Sequence, residues 1–206
     1  MLSLTAPHFN KGEMMAQKVM SRKEFLREAF SLFKKTFGEE DIASSQTISA
    51  GILLPPGAVS IEHYLNHCNQ CYACVAKCPH EAIRVHRDER SQLAGFPVIE
   101  PRLQPCYLCE DFPCINTCDV NALQSDAEYR RLGTAILMKE RCLISAGHIC
   151  MSCINACPEI GKAIRRDTDG YPVVSSEFCT GCGICENSCP ADPAAIRVIS
   201  KQKSGD

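Results

Sequence analysis

The chain has no tryptophan, five tyrosines and eight phenylalanines among 206 residues. Aromatic side chains carry much of the buried surface in most cores, so Leu, Ile and Val must supply it here. An excess of one charge is missing too: 22 Lys and Arg stand against 24 Asp and Glu, a formal net charge of −2. That balance gives no bulk attraction to nucleic acid, and a nucleic-acid partner is excluded on this ground. Long apolar runs are also absent. The longest candidate, Ile48–Leu54, is closed by Pro55-Pro56 and falls well short of the ~18–20 apolar residues of a membrane span. No G-x-G-x-x-G nucleotide fingerprint occurs either. Disorder is excluded by the 45 % hydrophobic content and moderate charge.

Cysteine is what the chain has in abundance: 16 residues, in four sets of four. The first is Cys68, Cys71, Cys74 and Cys78, followed by Pro79. The second is Cys106, Cys109, Cys114 and Cys118. The third is Cys142, Cys150, Cys153 and Cys157, followed by Pro158. The fourth is Cys179, Cys182, Cys185 and Cys189, followed by Pro190. Their first members are 38, 36 and 37 residues apart, an internal repeat. The connectors repeat as well. Ala82–Val85 with Gly95–Ile99, and Ala163–Arg166 with Gly170–Val174, each read as two short strands about a polar turn. Asn121–Leu123 with Gly133–Met138 is a third, less regular hairpin candidate, and Ala195–Ile199 predicts one more strand. Arg84, Arg165 and Arg197, beside these strands, read as solvated edge residues.

Three chemistries compete for such cysteines. A disulfide framework needs an oxidising compartment, and cysteines three apart pair with each other only under strain. Zinc favours two ligands from one knuckle and two from another. Cys68, Cys71 and Cys74 instead put three thiolates into one tight loop, as do Cys179, Cys182 and Cys185. The complete string C-x2-C-x2-C-x3-C-P, present in the first and fourth sets, is the bacterial ferredoxin run, whose fourth cysteine ligates the other cluster of a pair. Sixteen thiolates at four per cubane predict four [4Fe–4S] clusters with no open iron position. Saturated clusters move electrons and bind no reactant. The expected fold is α+β: tandem bacterial-ferredoxin-like modules, two units of two clusters each, over residues 61–200 with a tail at 201–206. His67, His80 and His148 lie near the loops but are unnecessary as ligands, since the thiolate count closes without them. A metal-stabilised interaction or regulatory protein, with structural clusters or zinc, is the competing reading.

These residues resemble the MauM/NapG family of ferredoxin-type proteins. The match rests on Leu53-Leu54-Pro55-Pro56-Gly57-Ala58, on the stretch leading into Cys68, on Pro105–Cys114 and on Cys179–Cys185. It spans roughly Ile52 to Ile199. Two departures stand out: Asp119 follows Cys118 where the other sets have Pro, and Ser21–Leu26 has one arginine and one lysine where exported members carry a twin-arginine leader. The resemblance implies a non-catalytic electron carrier between a quinol- or flavin-linked partner, such as a membrane-bound quinol dehydrogenase, and a reductase. Charges between Glu28 and Lys35 favour a cytoplasmic location, with a periplasmic or membrane-associated one as the alternative that the exported relatives imply. Exchange of fourth cysteines can join adjacent sets (first with second, third with fourth) or nest them. The second set resembles the inward-pairing motif of related four-cluster subunits, which implies nesting: Cys68, Cys71 and Cys74 with Cys189, and Cys106, Cys109 and Cys114 with Cys157.

Residues 1–60 hold no cysteine and read as an amphipathic helical extension with a linker. Ser21-x-x-Glu24 is a capping box, and Phe25, Leu26, Ala29, Phe30, Phe33 and Phe37 form one apolar stripe. Residues 11–38 carry seven Lys and Arg against three Asp and Glu. Helix 21–37 is thus a candidate for packing on the cluster domain or for docking a partner.

Overall fold

A computed structural model describes residues 51–201. The expected helix 21–37, the linker to residue 50 and tail residues 202–206 lie outside the described residues. The first half holds α1 (Ile61–His67), α2 (Ala73–Lys77), β1 (Ile83–Val85), β2 (Pro97–Ile99) and α3 (Pro113–Asn116). The second holds β3 (Gly133–Leu137), α4 (Ser152–Asn155), β4 (Ile164–Arg166), β5 (Pro172–Val174), α5 (Ile184–Asn187) and β6 (Ile196–Ser200).

Helix α1 begins at Ser60, whose Oγ accepts the His63 amide at 3.1 Å. The other four helices are a turn or so long, far below the length at which propensity alone sustains a helix. They exist because a cysteine loop ends in each. Three are entered through a left-handed residue, Tyr72 before α2, Phe112 before α3 and Gly183 before α5. Helix α2 packs on α3, and α4 packs on α5, so neighbouring cysteine sets are brought together in each half.

Among the described residues the strands form three two-stranded antiparallel sheets. Two are the hairpins expected from sequence. Ile83 faces Ile99 across β1–β2, and Ile164 faces Val174 across β4–β5. The third hairpin is corrected. Strand β3 pairs with β6, from Gly133 opposite Ser200 to Leu137 opposite Ile196, and not with residues 121–123. The reason lies in backbone partners: Asn121 takes a positive φ, and the next stretch is held by Gly57, which accepts from Gln124 N–H at 2.8 Å and donates to Tyr129 O at 2.9 Å.

The linker reading is corrected over 51–60 as well. Leu53 exchanges two 2.8 Å backbone hydrogen bonds with Ile99, adding a strand-like edge to β1–β2. Leu53, Pro55 and Pro56 are fully buried. One apolar cluster runs through both halves, from Ile52, Leu53, Tyr64, Ile83 and Ile99 to Ile154, Ile164, Ile196 and Val198. Several cysteines belong to it.

Candidate metal centres

None of the sixteen thiols is paired in a disulfide. They fall into four quartets, each built from three cysteines of one set and the fourth of its neighbour. Cys106, Cys109 and Cys114 line one hollow with Cys78 (site 2). Cys179, Cys182 and Cys185 line another with Cys157 (site 3). Cys142, Cys150 and Cys153 share a third with Cys189 (site 4). Cys68, Cys74 and Cys118 lie against the buried Tyr64, with Cys71 beside Cys74 (site 1); Cys74 is repelled by Cys68, Cys71 and Cys118 as well as by Cys114 of site 2. The exchange is therefore adjacent. Nested pairing, which the resemblance implied, is overturned by these groupings. Its physical cause is the contact of α2 with α3 and of α4 with α5, which places each fourth cysteine over the neighbouring loop.

The chemistry of these hollows suits a polynuclear iron–sulfur group. Three are lined between the thiols largely by apolar side chains, Pro, Ala, Ile, Val and Leu among them. Among the described residues, no three His, Cys, Asp or Glu side chains converge closely enough for a single metal ion. Amides point at sulfur: Ala82 N–H to Cys78 Sγ at 3.3 Å, Leu108 to Cys106, Ala135 to Cys179 and Ala195 to Cys189 at 3.4 Å each. Burial, followed by neighbouring thiolates, pushes Cys74 up to about 12 and Cys153 to about 11. Burial likewise raises Cys106 to about 12 and Cys114 to about 11, and drives Cys185 further upward. Four such thiols ionise together only around a compensating cation.

Other groups hold the loops. Tyr64 donates its hydroxyl to Pro97 O at 2.7 Å, fixing α1 beneath site 1. His67 meets the His63 carbonyl through Nδ1, and His80 stacks on Tyr107 at the wall of site 2. His148 is exposed. Arg84 and Arg165 are exposed as expected. Arg197 is not a solvated edge residue: it is half-buried 3.9 Å from Glu186, whose side chain is 2 % exposed and accepts the Val198 amide at 2.7 Å. Arg131 binds the carbonyls of Ser176 and Cys179. Sequence reasoning missed Glu186, Arg102 and Arg131. Only Glu186 left a signal, standing where the other sets have Val75, Ile115 and Ile154.

Comparison with known proteins agrees. Residues 61–84, 149–163 and 170–191 match 4Fe-4S binding domain families. The chain is 36 % identical over 171 residues to the methylamine utilization ferredoxin-type protein MauM of Paracoccus denitrificans, covering 78 % of this chain and 76 % of that one. It is 31 % identical to MauM of Methylobacillus flagellatus over 92 % of this chain and 86 % of the relative. With the ferredoxin-type protein NapG of Escherichia coli it shares 34 % identity, over 71 % of this chain and 70 % of that one. The chain belongs to the MauM/NapG family of ferredoxin-type proteins. It is an iron–sulfur electron-transfer protein with 4Fe–4S binding domains. No solved structure matches it.

Proposed function

We propose that this MauM/NapG-type chain is a non-catalytic relay subunit whose sixteen cysteines hold four [4Fe–4S] clusters, in the quartets of sites 1 to 4. The observation that carries the reading is the reciprocal exchange of Cys78 and Cys118, and of Cys157 and Cys189, between neighbouring loops. Such exchange is how a ferredoxin run builds two clusters at once. When bound, the groups supply one-electron redox chemistry. The chain's own residues do the rest. Four thiolates at each site fill the iron positions, so no substrate is bound there. Apolar walls keep water from the hollows, and the amides of Ala82, Leu108, Ala135 and Ala195 stabilise charge on sulfur. The partners inferred are a quinol- or flavin-linked donor, such as a membrane-bound quinol dehydrogenase, and an accepting oxidoreductase.

Anaerobically purified protein is expected to contain iron and acid-labile sulfide for four cubanes and to take up four electrons reversibly. Cys118→Ser should remove the same quarter of the iron, and the same EPR component, as Cys71→Ser. Colourless, zinc-loaded protein that cannot be reduced would overturn the proposal.

A further inference from the structure

Within each half, two quartets share their cysteine loops, so the chain itself joins site 1 to site 2 and site 3 to site 4. Passage between the halves needs a junction that no shared loop provides. One is present. The amide of Cys106, a site 2 residue, donates to the carbonyl of Cys182, a site 3 residue, at 2.9 Å. Both residues are buried. Residues 101–106 of the first half lie along residues 182–191 of the second, and three further features hold them there.

Arg102 is the main clamp. Its guanidinium donates to the carbonyls of Cys189 at 2.7 Å, Ala191 at 3.1 Å and Glu186 at 3.3 Å. These carbonyls belong to the end of α5 and the turn after it, where the peptide dipoles favour a cation. The planar fork of arginine can reach several acceptors at once, which a lysine ammonium on its flexible stem does less well. Asn187 closes the contact from the other side, giving its Nδ2 protons to the carbonyls of Pro101 and Arg102, each at 3.2 Å. Gly183 lets the surfaces meet: a Cβ there would lie 2.4 Å from Cβ of Pro101.

We infer that the Cys106–Cys182 contact is the electron-transfer junction between the two halves, and that Arg102 and Asn187 are positioning residues that hold it. The relay then runs in one line, site 1, site 2, site 3, site 4, with its ends at the quartets of Cys68 and Cys142. An electron crossing the junction leaves the group at one inner site oxidised by one electron and that at the other reduced by one; no bond forms or breaks.

The inference rests on the four-cluster reading, and its test separates the two. Full-length Arg102→Ala and Asn187→Ala would be purified anaerobically beside the parent, with iron, sulfide, EPR of dithionite-reduced protein and amide exchange at Cys106 measured on all three. The expected result is unchanged iron and sulfide in both variants, faster exchange at Cys106, and loss of the magnetic interaction between sites 2 and 3 seen in the parent. Intramolecular electron redistribution after flash reduction is expected to slow in both, and Arg102→Lys should restore it in part. If both variants keep the parent's inter-site EPR interaction and redistribution rate while exchange at Cys106 rises, the junction lies elsewhere. If the parent is reversibly reduced with four clusters yet shows no interaction between sites 2 and 3, the inference fails while the relay reading stands. A parent that cannot be reduced sinks the relay reading itself.

Discussion

Cys71 in the first loop is exposed, while Cys182, its counterpart in the fourth, is 8 % exposed. The two loops have one spacing and nearly one backbone trace. Gln70 and Tyr72 take φ of 57° and 60°; the matching Gly181 and Gly183 take 72° and 86°. What differs is what lies against them. A Cβ on Gly181 would lie 2.3 Å from the Gly133 nitrogen, and one on Gly183 would strike Pro101. The fourth loop is covered by strand β3 and by the first half of the chain, and glycine is needed for that approach as well as for the left-handed turn. The first loop, with Cys71 and Tyr72 exposed, carries side chains at the same turns despite a steric cost of roughly 1–2 kcal/mol for a left-handed L-residue. One ligand motif thus serves as core in one place and as surface in another.

The largest expected effect sets Cys182→Ser against Cys71→Ser. Both should lose a quarter of the iron. Only Cys182→Ser, which also removes a buried member of the core, should cost on the order of 4–5 kcal/mol in folding stability, read as a steep fall in soluble yield and melting temperature. Equal losses in the two variants would break the contrast between covered and open loops. Next is Gly181→Ala, expected to cost about 3 kcal/mol by combining a backbone clash with a left-handed alanine; chemical denaturation of the iron-loaded protein measures it.

Glu186 sharpens the comparison from within α5, because Val75 takes the same place in the first loop. Glu186→Ala leaves the Val198 amide without its acceptor and should cost about 1–3 kcal/mol. Glu186→Gln keeps an acceptor and should cost clearly less on the same denaturation curve. The smallest effect is expected at Gln70→Gly, which relieves the left-handed turn at an open site and should stay within about 1 kcal/mol of the parent, on the stabilising side. A Gln70→Gly variant as damaged as Gly181→Ala would show that the two loops are equally constrained.

Much of the candidate site was legible in the chain because thiolate spacing is local. Three cysteines within seven residues can wrap one metal group only by folding into a tight loop, so loop identity needed no tertiary information. The hairpins β1–β2 and β4–β5 were legible for the same reason, each being two apolar runs about a polar turn. The pairing of β3 with β6 was not. Its partners are some sixty residues apart, and Gly133–Leu137 carries no mark that prefers Ile196–Ser200 to the nearer Asn121–Leu123. Likewise Leu53–Pro56 looks like a proline-closed linker until Ile99 is found beside it.

Local chemistry in this chain specified the sixteen thiols, their division into four loops and the short strands between them, because each depends on residues within a few positions of one another. The choice of adjacent over nested exchange, the burial of one loop and the openness of its twin, and the clamp of Arg102 on the far half depended on packing. Those features follow from which helix lies on which, and from the carbonyls that α5 and the turn after it turn toward Arg102. Such long-range contacts have no counterpart in spacing along the chain.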